Sequence, residues 1–262
     1  MAEWPGDARG ALCLSFDNLG VDEASSAAKA LPGLLKRLGE HDLTATFFAE
    51  GVSAELDPEA LGEVGAAGHE VAYHAWRHET WGELTEAEQS ENLAHGIEAF
   101  AGLGLEIAGL RPPGGQLGAG GVEVLREAGL TYASPAGAGA GVDDGVALLP
   151  FQWRHVDATC MLPPLGPVRR QMTGSPDPIE PDAFLAYLET EIERLEGDGG
   201  FLSIVLHLPL LDWLGEPNLA SLLEKLSSSD AWLARCDQAA EHVLARPETF
   251  MGGTTLDPTS WA

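Results

Sequence analysis

Basic side chains are scarce: 14 Lys and Arg stand against 41 Asp and Glu, a formal net charge of −27. Such a surface repels phosphate backbones and anionic lipid headgroups, so neither nucleic acid nor a membrane is expected as a partner. Long apolar runs are also missing, since no stretch approaches the roughly 20 residues of a membrane-spanning helix. The opening MAEWPGDARG has neither a basic start nor an apolar leader, and the expected location is the cytoplasm. Cysteine is rare. Cys13, Cys160 and Cys236 are odd in number and widely spaced, which fits neither a disulfide framework nor a thiolate metal site. They read as small buried thiols.

What is present is ample apolar material, 45% of 262 residues, enough for one sizeable core. The runs ALCLSF, LTATFFA, HEVAYH, IAGLR, VALLPF and FLSIVLHL alternate with segments of helical pattern, which predicts βα units around a largely parallel sheet. Pro32 and Pro181 suit first helical turns, and Thr85 with Glu88 forms a capping-box pattern before NLAHGIEAFAGL. SPAGAGAGVDDG is predicted to be a flexible loop. The expectation is an α/β chain with one domain over residues 1–262 and an irregular tail from about residue 246.

In a barrel of such units, polar residues at the C-terminal ends of strands gather the chemistry. Asp17 and Asn18, His74, Arg111, and His207 occupy such ends. His74 and His78, four apart in HAWRH, would share one face of a helical turn, as zinc, cobalt or nickel coordination requires. A divalent ion lowers the pKa of bound water, and Asp17 could take that water's proton. Arg111 could hold Asp17 ionised through a bidentate contact, and His207 could protonate a leaving amine.

These segments resemble one family in order: SFDN, GHEVAYHAWRH, RPPGG and SIVLHLP are similar to the four clearest motifs of the polysaccharide deacetylases with the NodB homology fold, carbohydrate esterase family four. The resemblance spans roughly residues 11–210. It implies a deformed (β/α) barrel that hydrolyses an N-acetyl or O-acetyl group. It further implies Asp17 as general base, Arg111 as its partner, His207 as general acid, and His74 and His78 as ligands of a divalent metal, zinc first. In PFQWRHVDATCMLPP, Asp157 would tune His207 and Trp153 would line the pocket, with Pro113 and Trp76 as further substrate contacts.

The pattern breaks at Asn18, where the family normally has a metal-binding aspartate, and at Ala75, where it has Ser or Thr. A neutral amide oxygen can coordinate zinc but compensates none of its charge. Alternatively Asp17 itself is a ligand, or the site is empty. Three readings follow: a metal-dependent deacylase acting on an acetylated sugar or small amide through His74, His78 and Asn18; a metal-independent amide hydrolase resembling the allantoinase-like branch; or an inactive carbohydrate-binding relative. Keeping Asp17, Arg111 and His207 together argues against the last, because binding alone needs no acid and base. Glu70 and Glu79 flank the histidines as substitute carboxylates, with Glu79 disfavoured because it directly follows His78. His41, His69, His95, His155 and His242 read as structural.

Overall fold

The computed structural model describes residues 4–19 and 26–259, with the backbone alone for 26–28. Strand β1, Gly10–Asp17, is buried at every position and organises the rest. A strand covered on both faces cannot show a polar face along its whole length, and GALCLSFD does not. Its side chains nevertheless divide. Leu12, Leu14 and Phe16 join the core beneath the helices, whereas Ala11 and Cys13 join a second apolar cluster on the other face. Two residues further along that second face come Ser15 and Asp17, so the interior changes from apolar to polar towards the strand's C-terminal end.

The other strands are β2 (Thr46–Ala49), β3 (Glu70–Tyr73), β4 (Gly109–Leu110), β5 (Tyr132–Ala133), β6 (Gly137–Ala138), β7 (Gly141–Asp143), β8 (Val146–Leu148), β9 (Gly200–His207), β10 (Trp232–Leu233) and β11 (Thr255–Leu256). Among the described residues nine of these form one sheet in the order β10-β1-β2-β3-β4-β5-β8-β7, with β9 along the other edge of β1. Only the β7–β8 pair is antiparallel in that sheet. β1 and β9 run in parallel register from Gly10 opposite Gly200 to Asp17 opposite His207. A bridge between Val156 and Val205 draws the segment after β8 against β9 and curls the sheet into a half-barrel.

Helices cover the outside. In Pro181–Asp198, Phe184, Leu188, Ile192 and Leu195 recur at i+4, i+4 and i+3 and are all buried, each contributing about 1.5–3 kcal/mol by leaving water. Pro181 opens that helix and the Thr85–Glu88 capping box opens Glu86–Ala101, both as their sequences predict. Pro32 differs: the helix already runs from Ser26 to Glu40, so this proline is interior. It sits on the exposed side, with Leu31, Leu34 and Leu38 buried, where water can satisfy the carbonyl that lacks its donor. No described helix is long and apolar enough to cross a membrane.

Two segments expected to be irregular are built structure. SPAGAGAGVDDG contains β6 and β7, and the tail beyond residue 246 contains the helix Pro247–Phe250 and β11, which pairs antiparallel with β6. The small residues are the reason. A Cβ on Gly137 would lie 2.6 Å from the Thr255 carbonyl oxygen, so only a bare backbone lets the tail approach.

Candidate active site

The polar end of the interior is organised around a buried cation. Arg111, directly after β4, is 1% exposed. Its Nη1 donates to Asp17 Oδ1 at 2.5 Å and to Ser15 Oγ at 2.8 Å, and its remaining nitrogens donate to Ser134 and Ser203. Phe48 and Phe151 take the guanidinium on their faces, 4.0 and 5.3 Å from the ring centroids. Hydroxyls, a carboxylate and two rings thus stand in for water. Burial pushes the Asp17 carboxyl towards its neutral form, but Arg111, His74 and His207 outweigh this and hold it below the ordinary carboxylate range.

His74 follows β3 and begins a tight turn rather than a helix: Ala75 and His78 both have φ of 62°, the left-handed region. The turn, pinned by Gly51 N donating to Ala75 O at 2.8 Å and Val52 N to Trp76 O at 3.0 Å, still brings the two imidazoles together, centroids 4.8 Å apart. The helical-face expectation is therefore corrected although the pairing it foresaw is present. His74 Nδ1 lies 2.8 Å from the Arg111 carbonyl, which can only accept, so Nδ1 carries the hydrogen and Nε2 keeps a bare lone pair 3.9 Å from Asp17 Oδ2. Burial pushes His74 down to about 3 and lowers His78 as well, leaving both rings neutral.

The same turn carries Trp76 away from the site. Its indole stacks on His95 at 3.6 Å and borders a separate groove with Glu79 and Asn92, so it is not a substrate contact of this cavity. The substitute carboxylates fare no better. Glu70 lies at the opposite end of the sheet, accepting from Thr46, Tyr132 and the Asp237 backbone, and Glu79 accepts from Arg77 N. His69 and His155 are structural, one accepting from Ala45 N and the other bonded to Glu191.

His207 closes β9, directly beside Asp17 in the register. Its Nδ1 is 2.6 Å from Asp157 Oδ1, while Asp157 Oδ2 accepts from the His207 backbone N at 2.8 Å. The carboxylate therefore fixes the ring and its tautomer. Burial opposes the imidazolium, but Asp157's charge and hydrogen bond prevail and raise His207 above its ordinary value.

One participant has no counterpart in the sequence reading. Glu50, just past β2, is fully buried, and its Oε1 accepts from Asn18 Nδ2 at 2.8 Å. Its Oε2 has no partner among the described residues, and burial pushes the carboxyl up to about 8. Asn18, itself at φ 63°, thus has its amino group tied back, leaving Oδ1 as the atom free for the cavity it lines. That cavity measures about 280 Å³. Asp17, Asn18, His74, His78, Arg111 and His207 form its polar side; Pro113, Phe151, Trp153, Val156 and Leu162 are among the residues of its apolar wall. Asp157 stands one contact behind His207.

The polysaccharide deacetylase family model matches residues 7–133, a span containing Asp17, Asn18, His74, His78 and Arg111. Over that span the chain is similar to the polysaccharide deacetylase family. This is a family of hydrolases acting on carbon–nitrogen bonds other than peptide bonds, generally with a divalent metal. A protein assigned as a polysaccharide deacetylase from Mycobacterium smegmatis is 25% identical, superposes with a TM-score of 0.79, and covers 98% of this chain and 96% of its own. The Puue allantoinase is 20% identical with a TM-score of 0.73 and 94% coverage of each chain. The wild-type BA3943 protein of Bacillus anthracis, described as a pseudoenzyme of the family, is 17% identical with a TM-score of 0.60, covering 89% of this chain and 66% of its own. No curated protein matches the sequence.

Do these residues suit the family's metal? Among the described residues no three His, Cys, Asp or Glu side chains gather as a metal-holding group. What this chain offers is two neutral imidazoles and one amide oxygen on the same cavity. That donor set suits a borderline cation such as zinc, cobalt or nickel, and its lack of negative charge predicts weaker retention than a set with aspartate.

Proposed function

We propose that this chain hydrolyses the acyl–nitrogen bond of a small substrate, an N-acetylated sugar or comparable amide, by acid–base catalysis between Asp17 and His207. The observation carrying this reading is their placement side by side on β1 and β9 in environments that push their proton affinities apart. A carboxylate whose ionised form is favoured beside an imidazole whose protonated form is favoured is a base and an acid suited to one reaction.

The acyl group sits against the apolar wall of a cavity whose volume of about 280 Å³ suits a short acyl group. Asp17 accepts a proton from water as its oxygen bonds the acyl carbon, and the C–N bond then breaks as His207 Nε2 delivers a proton to the departing nitrogen. Asp157 stabilises the imidazolium and holds its ring in line, while Arg111 keeps Asp17 ionised until it acts. His74, His78 and Asn18 would hold a divalent cation, zinc first, which when bound makes water more acidic and polarises the acyl oxygen.

A second reading, a metal-independent hydrolase of small ureides or other amides, is favoured by the neutral Asn18 tied to Glu50 and by the shared fold of the Puue allantoinase. There the two imidazoles contact substrate instead. Metal content by plasma mass spectrometry, with calorimetric zinc titration of chelator-stripped protein, separates the two. Stoichiometric uptake that vanishes in His74→Ala/His78→Ala supports the first reading. No uptake, with amide hydrolysis persisting in chelator, replaces it with the second.

A further inference from the structure

The C-terminal segment reaches around to the catalytic cavity and holds two of its borders. Thr259 O accepts from the Trp153 indole Nε1 at 2.9 Å, and Pro258 O accepts from Gln116 Nε2 at 2.6 Å. Gln116 directly follows RPPGG, whose Pro113 and Gly114 line the cavity, as does Trp153. The segment is itself anchored, since Asp257 N donates to Ala136 O at 3.0 Å, Asp257 Oδ1 accepts from Thr259 N at 2.9 Å, and β11 pairs with β6. Gly115, at φ 81°, lets the indole close in: a Cβ there would lie 2.7 Å from Ala136 Cβ and 3.2 Å from Trp153 Cζ2.

Trp153 also lines a second cavity of about 490 Å³, bordered by Gln152, Arg154, Tyr187, Leu256 and Asp257. The indole is therefore a partition. We propose that residues 257–259 form a strap fixing Trp153 as the specificity-determining wall, so that the held indole limits the catalytic cavity to short acyl groups and its removal joins that cavity to the larger one. The strap acts through Trp153 as a positioning element, and the part concerning acyl length rests on the proposed function above.

The test separates the two parts. Hydrogen exchange of the Trp153 indole N–H, followed by NMR and assigned with Trp153→Phe, should be at least tenfold faster in full-length Gln116→Leu and Asp257→Ala. Binding of straight-chain amides from acetamide to hexanamide is measured on the same samples. Wild type should favour the short members, whereas Trp153→Ala should improve hexanamide relative to acetamide at least tenfold, in binding and in kcat/KM. Unchanged indole exchange on release of the strap, or an unchanged length preference in Trp153→Ala, overturns the proposal. If no amide binds any variant, the functional reading fails, and the exchange rates still decide whether the strap holds the indole.

Discussion

Replacing Arg111 by Met should expose the cost of keeping Asp17 charged inside the sheet. The guanidinium is 1% exposed, its contact with Asp17 is 2.5 Å, and Ser134 and Ser203 hydroxyls also receive its hydrogens. Removing one member of a buried pair typically costs about 3–5 kcal/mol, because the other is left uncompensated. The loss must depend on pH. In the wild type the Asp17 pKa is lowered, so its contribution is present above the unfolded value and fades as pH falls through the folded one. In the variant burial acts without the guanidinium and raises the folded pKa, so stability declines as pH rises through the carboxylate range. The gap between the proteins is therefore narrow near pH ~4 and wide at pH ~7. Urea unfolding followed by circular dichroism at both values measures it, and Asp17→Asn/Arg111→Met should recover most of the loss at pH ~7. A deficit equal at both pH values, or a double variant whose losses simply add, refutes the reasoning.

Other perturbations reach the remaining groups. The kcat/KM profile should be bell-shaped, its acid limb below the ordinary carboxylate range for Asp17 and its alkaline limb above the ordinary imidazole range for His207; Asp157→Asn should move the alkaline limb to lower pH and cut kcat about 10- to 100-fold. An alkaline limb that stays in place separates Asp157 from that titration. Glu50, pushed up to about 8, retains a proton that the unfolded chain has already lost, so wild-type stability falls as pH rises from ~4.5 to ~8. In chelator-treated protein Glu50→Gln should match wild type near pH 5 and unfold at higher urea near pH 9, by up to ~5 kcal/mol; parallel stability curves refute the burial argument. Leu188→Ala, in the buried stripe of the helix Pro181–Asp198, should lose about 2–5 kcal/mol in the same urea assay without altering the shape of the pH–rate profile.

Asp17, Arg111 and His207 were legible because each is a polar residue ending an apolar run, and such residues converge when parallel strands align. His74 and His78 were legible as a pair but not in their geometry. Four-residue spacing suggests a helix, whereas Ala75 adopts φ of 62°, a choice that an alanine does not announce. The misplacement of Trp76 follows from that one angle. Ser15 and Ser203 were overlooked inside apolar strands, although Ser15 lies two residues before Asp17 and Ser203 four before His207, each hence on the same face as its candidate. Glu50 carried the same strand-end signal as Asp17 but lacked a motif around it. The Gly/Ala segment and the tail were misread because their order is mutual: β6 and β11 are two residues each and exist through pairing with one another, which no local pattern encodes.

The most direct measurement is release of free amine from small N-acetyl substrates by wild type, Asp17→Asn and His207→Gln, each confirmed folded and assayed with zinc and with chelator. The account predicts turnover in the wild type and losses of at least about 100-fold in both variants. Wild-type turnover that survives undiminished in Asp17→Asn would contradict it.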